Sequence, residues 1–226
     1  MAEIEPGITL IRGGRLVDPA IQRAERADIL IENGVIRAVG PGLTAPEEAR
    51  IVEADGFLLH PGLINDHTHG HGALARGSAD RWTLEMSLTA AHWLVGSRGL
   101  QDKKLSATIN AAELVLKGCT AAYDLFSEVP LPTADGLDAT AEAYATVGMR
   151  AVIAPMVADT TLYDAIPGLR DALPEALRAE VDRARLAPHE QILAAMREAL
   201  SRWCWNAKDI RAAVAPTIPH HCTDAF

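Results

Sequence analysis

The amino-acid sequence predicts an α/β protein in which a small all-β unit precedes a parallel sheet covered by helices. Short apolar runs joined by tight turns fill residues 8 to 58, and short apolar strands alternate with longer helical stretches from residue 59 onwards. In addition, His67, His69 and His71 recur at every second position. The first two patterns indicate the fold class, and the third indicates a candidate functional site.

The first 58 residues contain the signals of a small β unit. "ITLIRGGRLV" places two apolar runs around Gly13 and Gly14, and "ADILIENGVIRAVG" places two more around Asn33 and Gly34. Asn-Gly between alternating apolar residues is the strongest short signal for a hairpin. The stretch "EEARIVEADGFLLHPG" adds a last strand. We therefore assign residues 1–58 to a first domain.

Residues 59–226 form the second domain, with four strands separated by helices. The expected strands are "LLHPGLIND", "TAAYDL", "RAVIAPMV" and "IRAAVAP", and the helical patterns lie at about 82 to 98, 102 to 117, 136 to 147 and 170 to 206. This alternation indicates βαβ units and a parallel sheet, because each crossover helix covers a face of the sheet. Gly118 and Gly148 each follow a helical run, where a left-handed residue commonly ends a helix.

Composition and charge narrow the kind of partner. The chain has 226 residues, of which 49% are hydrophobic, and a formal net charge of −9. This charge disfavours nucleic acid and membrane surfaces, because binding to phosphates needs clustered Lys and Arg. No apolar run reaches the roughly 18 to 20 residues of a membrane span, and "MAEIEPGITL" lacks the parts of a signal peptide. The sequence therefore predicts a cytoplasmic protein that binds a small molecule.

The stretch "HPGLINDHTHGHGAL" places four of the eight histidines within twelve positions. Residues i and i+2 of a strand project to the same side, so His67 and His69 can direct two ring nitrogens to one point. Such a pair can be mere polar decoration of a strand end, but this one follows the first strand, where parallel-sheet enzymes collect functional groups. Neutral imidazole suits Zn²⁺ and Fe²⁺. We predict that His67 and His69 bind one divalent metal ion, zinc or iron.

Several other residues are candidates for contact with a substrate. His71, with glycine on either side, is expected in a loop that faces substrate or solvent. Arg76 has a side chain that suits an anionic or carbonyl group, although a surface salt bridge explains it equally well. His220 follows the fourth strand, and it either contacts the substrate or has a structural or solvated role. Asp124 and Asp159 follow or end strands, and each either orients a substrate or serves as a helix-capping or solvated carboxylate.

The motif "FLLHPGLINDHTH" resembles the signature of the amidohydrolase superfamily, and "GGRLVDP" with "ADILIENGVIRAVG" is similar to part of the β-sandwich that these enzymes carry. "LARGSAD", "KGCTAAYDL" and "VAPTIPHHCTDAF" resemble its deaminase-like branch, which includes cytosine and guanine deaminases and triazine hydrolases. The resemblance covers nearly the whole chain. It implies the first half of a (β/α)8 TIM-like barrel, preceded by a small β-sandwich unit.

The resemblance also implies a function, that of a metal-dependent hydrolase of non-peptide C–N bonds whose substrate is an aminated heterocycle or an amide. In the family, a His after strand five and an Asp after strand eight complete the metal site, and the general acid and base come from strands five to eight. No catalytic residue of this chain is therefore named. Thr217 matches a position where S-adenosylhomocysteine deaminase-like sequences carry His, so Thr217 is a candidate substrate contact and that particular substrate is disfavoured.

A (β/α)8 barrel needs about 250 residues, whereas residues 59–226 supply its first four units. Three accounts stay open: a shortened piece of a longer chain, one half of a barrel that another chain completes, or a half-barrel that has lost the chemistry and serves as a scaffold. Barrel closure normally protects the edge strands of such a sheet. We therefore expect the chain to form a homo-oligomer.

Overall fold

The computed structural model describes residues 7–18, 20, 22–96 and 98–226. The chain divides into two compact units, of which the first ends at Gly62 and the second spans Leu63–Phe226. We expected the change after residue 58. The division lies four residues further along, because the short strand Leu58–Leu59 still pairs with the sheet of the first unit.

The first unit contains one five-stranded sheet. Its strands are β1 (Ile8–Asp18), β2 (Arg23–Glu32), β3 (Val35–Gly40), β4 (Arg50–Glu53) and β5 (Leu58–Leu59). β1 pairs antiparallel with β2 and parallel with β4 and β5, and β2 pairs antiparallel with β3. The described residues thus supply one layer, and the expected β-sandwich stays a prediction.

The sequence indicates a turn at two glycine-containing sites of this sheet, and the structure has a turn at one of them. Asn33 and Gly34, with φ angles of 50° and 75°, connect β2 to β3 as the Asn-Gly signal predicts. Gly13 and Gly14 lie inside β1, where the register shifts, and do not form a turn between two strands. The reason is that Gly13, with φ of 79°, donates its N–H to Oδ1 of Asp28 at 2.7 Å, which keeps the chain in the sheet.

The second unit is built on a parallel sheet. Its strands are β6 (Leu63–Thr68), β7 (Cys119–Phe126), β8 (Arg150–Val157), β9 (Ile210–Ala212) and β10 (Ala215–Pro216). β6 pairs with β7, β7 with β8, and β8 with both β9 and β10, in each case parallel. The order of strands across the sheet therefore follows the order along the chain, as consecutive βα units require. The expected fourth strand is divided into the short strands β9 and β10.

Helices alternate with these strands. They are α1 (Leu84–Val95), α2 (Leu100–Leu116), α3 (Ala134–Val147), α4 (Leu162–Ala165), α5 (Glu175–Arg183) and α6 (His189–Arg202), together with single 3-10 segments at Gly70–Ala75 and Pro219–His221. The helical region expected at 170 to 206 contains two helices, α5 and α6. The sequence predicts a helix start at Pro188, and this residue is the N-cap of α6. None of the helices described has the length and apolar character that crossing a bilayer requires.

The core of the second unit lies between the parallel sheet and the helices α2, α3 and α6. Leu137 and Tyr144 on α3 are 1% and 0% exposed, and they belong to the same buried cluster as Phe126 on β7 and Ile153 on β8. The local sequence defines α3 well, since the Thr133 hydroxyl accepts a hydrogen bond from Gly136 N at 3.0 Å at its start. The position of Tyr144 is therefore fixed by both the helix and the core.

We expect Leu137→Ala to lower the free energy of unfolding by about 2–5 kcal/mol, because truncating a buried leucine leaves a cavity. Leu116→Ala is the matched control, since Leu116 ends α2 with 87% of its surface exposed, and its effect should stay within about 0.5 kcal/mol. Urea denaturation of both variants measures the difference. Equal losses would contradict the assignment of α3 to the core.

Candidate functional site

The carboxyl ends of the parallel strands meet at one edge of the second unit. β6 ends at Thr68, β7 at Phe126 and β8 at Val157, and the histidine stretch continues directly from β6. Parallel strands bring their carboxyl ends to the same edge of a sheet, which is where ligands of open α/β sheets and barrels bind. Residues that lie far apart in the sequence thus become neighbours at this edge.

His67 lies on β6, and His69 follows the last residue of that strand. Their Nε2 atoms are 3.2 Å apart, and the ring planes are inclined at 78°. Two nitrogens bound to one tetrahedral zinc ion at about 2.0–2.1 Å lie roughly 3.3 Å from each other. The pair therefore has the spacing of two ligands of one ion. The same distance allows an N–H···N hydrogen bond in which one ring donates and the other accepts.

A backbone contact orients the ring of His69. Its Nδ1 lies 3.2 Å from the carbonyl oxygen of Leu125 on β7. Because a carbonyl only accepts, Nδ1 donates, and a neutral His69 directs the lone pair of Nε2 towards His67. Contacts of this kind orient metal-binding histidines in proteins. Desolvation is the main cause that lowers the pKa of His69, with the Leu125 carbonyl acting in the opposite sense, so the neutral form that a metal needs is favoured.

His71 lies in the 3-10 segment, with its ring centroid 5.4 Å from that of His69. Its Nδ1 is buried and has no hydrogen-bond partner within the described part of the chain. Burial lowers the pKa of His71 to about 4, so the ring is neutral at neutral pH. The structure places His71 beside His69, and its contact with a substrate stays a prediction.

Ser106 on α2 binds the backbone of the segment that carries His71. Its hydroxyl lies 2.8 Å from the carbonyl oxygen of Gly70 and 3.0 Å from that of His71, and it accepts from Leu74 N at 3.3 Å. Arg98 also donates to the carbonyl of His71. These contacts fix the course of the chain directly after the histidine pair.

Asp124 on β7 holds the start of the same segment from the core side. It is 0% exposed, its Oδ1 accepts from Gly70 N at 2.8 Å, and its Oδ2 accepts from Tyr144 OH at 2.9 Å. Glycine is required at position 70, because a Cβ there would lie 2.3 Å from Oδ2 of Asp124. Burial raises the pKa of Asp124 to about 6, and the two donors oppose this shift. Asp124 is thus neither a helix cap nor a solvated carboxylate.

Asn110 extends this buried network to the strand that carries His67. Its amide nitrogen donates to Tyr144 OH at 3.1 Å and lies 3.2 Å from the hydroxyl of Thr68. Sequence reasoning missed Ser106 and Asn110. The available signal was two small polar residues at a spacing of four in the apolar pattern of α2, which places both on the face that turns to the sheet.

The other predicted substrate contacts have different surroundings. Arg76 pairs with Glu113, and both side chains are partly exposed at 47% and 39%. Thr217 follows β10 and lines a cavity of about 190 Å³. His220 is exposed, whereas its neighbour His221 is buried and lines the same cavity. A role in substrate binding stays a prediction for Arg76, Thr217 and His220.

This cavity, which we call the rim cavity, lies at the carboxyl ends of β7, β8 and β10. Its lining includes Leu131, Met156 and Tyr163, in addition to Thr217 and His221. His67, His69 and His71 are not among its lining residues. Within the described ranges, no group of three or more His, Cys, Asp or Glu side chains could hold a metal ion, so the pair His67 and His69 is a partial set of ligands.

The chain is similar in sequence to known hydrolases. It is 33% identical over 147 residues to a 5-methylthioadenosine/S-adenosylhomocysteine deaminase from Haloarcula marismortui, a match that covers 64% of this chain and 32% of the relative. It is 50% identical over 60 residues to a dihydroorotase from Geobacter sulfurreducens, covering 26% of this chain and 14% of the relative. No family model matches the chain.

Solved structures match a larger part of the chain than these sequence relatives do. A triazine hydrolase from Arthobacter aurescens matches 96% of this chain and 48% of its own with a TM-score of 0.74 and 26% identity. An adenosine deaminase from Xanthomonas campestris with bound zinc matches 98% of this chain and 45% of its own, with a TM-score of 0.72 and 25% identity. The chain is therefore similar to members of the amidohydrolase superfamily, to which these relatives and solved structures belong.

These matches confirm the resemblance that the histidine motif predicts. The chain spans about half the length of these solved amidohydrolases and a third or less of the curated relatives. Its parallel strands and helices correspond to a curled half-barrel, which confirms the predicted α/β class and the partial barrel.

We expect Asp124→Asn to change how stability depends on pH. A carboxyl group with an ordinary pKa of 3.8 that rises to about 6 in the folded state contributes stability below pH 3.8, and this contribution is lost as the pH rises through 6. The free energy of unfolding of the wild type, relative to this variant, should therefore fall by on the order of 3 kcal/mol between about pH 4 and pH 6.5. Urea denaturation across this range measures it.

Tyr144→Phe serves as the companion variant for this experiment. It removes one of the two donors to Asp124, so the pKa of the carboxyl should rise further and the pH range of the loss should move upwards. A difference that stays flat with pH for Asp124→Asn would contradict a buried, ionisable Asp124.

Proposed function

We propose that this chain carries part of the active site of a metal-dependent hydrolase that acts on non-peptide C–N bonds. The observation that carries the proposal is the 3.2 Å separation of the two Nε2 atoms of His67 and His69, with Nδ1 of His69 directed to the Leu125 carbonyl. Similarity to deaminases, one of which contains zinc, supports the same reaction class.

The proposed cofactor is one divalent ion, zinc or iron, held by His67 and His69. Imidazole nitrogen suits both metals, and the zinc in the similar adenosine deaminase supports zinc as the first choice. Such an ion, when bound, lowers the pKa of water from about 15.7 towards 7 and so supplies a nucleophile at neutral pH. In the family, a His after strand five and an Asp after strand eight fill further positions.

The proposed substrate is an aminated heterocycle or an amide. His71, Arg76 and Thr217 are the proposed contacts, and the position of Thr217 in the wall of the rim cavity supports its assignment. The sequence also predicts a contact from His220, but His220 is exposed and its neighbour His221 lines the cavity. The general acid and base are not assigned to residues of this chain. The proposed roles of the residues seen here are therefore to hold the metal and to bind the substrate.

The whole protein is proposed to be a cytoplasmic (β/α)8 barrel enzyme with a β-sandwich beside the barrel, and to form a homo-oligomer. The exposure of β6 supports an additional partner for this sheet, because Leu63 and Ile64 are 51% and 72% exposed and β6 pairs with β7 alone in the described part. Either further barrel strands or a second copy would cover that edge.

The alternative proposal is a non-catalytic scaffold on the same fold. It is favoured by the partial ligand set, since the residues that the structure describes contain no group of three or more His, Cys, Asp or Glu side chains that could hold a metal ion. The two proposals differ in whether the pair binds metal.

We expect the purified chain, dialysed against zinc, to retain one equivalent of the metal and the double variant His67→Ala, His69→Ala to lose it. His220→Ala is the control, because His220 is an exposed histidine outside the pair. Inductively coupled plasma mass spectrometry measures the metal content, and circular dichroism verifies the fold. Zinc retained by the double variant would contradict the ligand assignment, and a folded wild type without zinc would support the scaffold.

A further inference from the structure

The turn after β10 carries two adjacent histidines with opposite surroundings. His220 is exposed, whereas His221 is 8% exposed and lines the rim cavity. Within the described part of the chain, the ring nitrogens of His221 make no hydrogen bond. The buried side-chain nitrogens that lack a partner in the described part belong to His71 and Trp203, so the ring nitrogens of His221 stay accessible and can exchange hydrogen bonds with a ligand in the cavity.

Asp159, which follows β8, holds the turn in place. Its Oδ1 accepts from Thr223 N at 2.8 Å, and its Oδ2 accepts from the Thr223 hydroxyl at 2.6 Å. In addition, the backbone N–H groups of Asp159 and Thr160 donate to the carbonyl of His221 at 3.1 Å and 3.0 Å. The Asp159 side chain is only 4% exposed. Although burial acts to raise it, the pKa of Asp159 is lowered by the two donors of Thr223, which keeps the carboxylate ionised as an acceptor.

Besides His221, the lining of the rim cavity includes the hydroxyl groups of Ser127 and Thr217 and one carboxylate. Glu128 lies in its wall, but this carboxylate pairs with Lys103 and accepts from Thr133 N at 2.7 Å. Most of the lining is apolar, including Leu131 and Met156. Burial is the main cause that lowers the pKa of His221, and the neighbouring His220 adds to it, so a neutral ring offers one donor and one acceptor. This environment suits a neutral ligand with an apolar body and a polar edge.

We infer that His221, and not His220, contacts the ligand of the rim cavity, exchanging hydrogen bonds with a neutral amide or aminated heterocycle. Asp159 is a positioning residue, since it acts through the Thr223 backbone and hydroxyl and does not touch the cavity ligand itself. The inference rests on the proposed function, because it identifies the imidazole that serves substrate binding in the same site.

Adenine and cytosine are the probes, and the chain is labelled with ¹⁵N in its histidine rings. We expect both probes to shift the ring resonances of His221 saturably and to leave those of His220 unchanged. His221→Leu should weaken probe binding by roughly tenfold, the loss expected of a hydrogen bond worth about 1.4 kcal/mol. His220→Leu, the matched control, should leave the Kd within about twofold. No saturable shift of His221 with either probe, or equal effects of the two substitutions, would overturn the inference.

The role of Asp159 has its own test through Thr223. Thr223→Val keeps the side-chain shape but removes the hydroxyl that donates to Asp159, so it should weaken probe binding severalfold, whereas Thr223→Ser should bind as the wild type does. Rescue by serine separates positioning from a general loss of stability, and unchanged binding in Thr223→Val would overturn the role of Asp159.

Zinc content of the same samples keeps the two proposals apart. His221→Leu that loses probe binding while it retains zinc supports the cavity inference and the metal site together. If the wild type binds the probes at His221 but does not retain zinc, the metal proposal is contradicted and the cavity inference still holds.

Discussion

The buried carboxylate of Asp124 is the constraint on which the histidine site depends. An unpaired charge in a protein core is costly, and Asp124 is retained because Gly70 N and Tyr144 OH both donate to it. Gly70 separates His69 from His71, and Tyr144 lies on α3 in the core, so one side chain connects the histidine segment with the packing of the whole unit. The geometry of the histidine pair therefore depends on residues far from it in the sequence.

The features that could be predicted from the sequence are those that depend on local patterns of residues. The alternation of strands and helices predicted the parallel sheet, and a spacing of two placed His67 and His69 on one side of a strand end. The role of Asp124 could not be predicted in this way, because it depends on a contact with Tyr144 across two elements. Within the long helical region at 170 to 206, the helix start at Pro188 was predicted from the sequence, whereas the end of α5 at Arg183 was not.

Local patterns also cannot distinguish between the two adjacent histidines that follow β10. His220 and His221 are chemically identical and adjacent, so composition and spacing give no reason to prefer one. The turn Pro219–His221 makes the choice by exposing the first ring and burying the second. The contact between Asp159 and Thr223 that stabilises this choice spans 64 residues, which no local pattern reports.

Asp124 and Asp159 position their histidines by the same physical means. Each accepts hydrogen bonds from backbone or hydroxyl groups near the histidine, and no contact joins either carboxylate to the rings of His71 and His221. A carboxylate bound directly to an imidazole would favour the charged ring and occupy one of its nitrogens. Backbone attachment avoids both effects, so burial can lower the pKa of His71 and His221. Neutral rings with free nitrogens are the form that can bind a metal ion or exchange hydrogen bonds with an uncharged substrate.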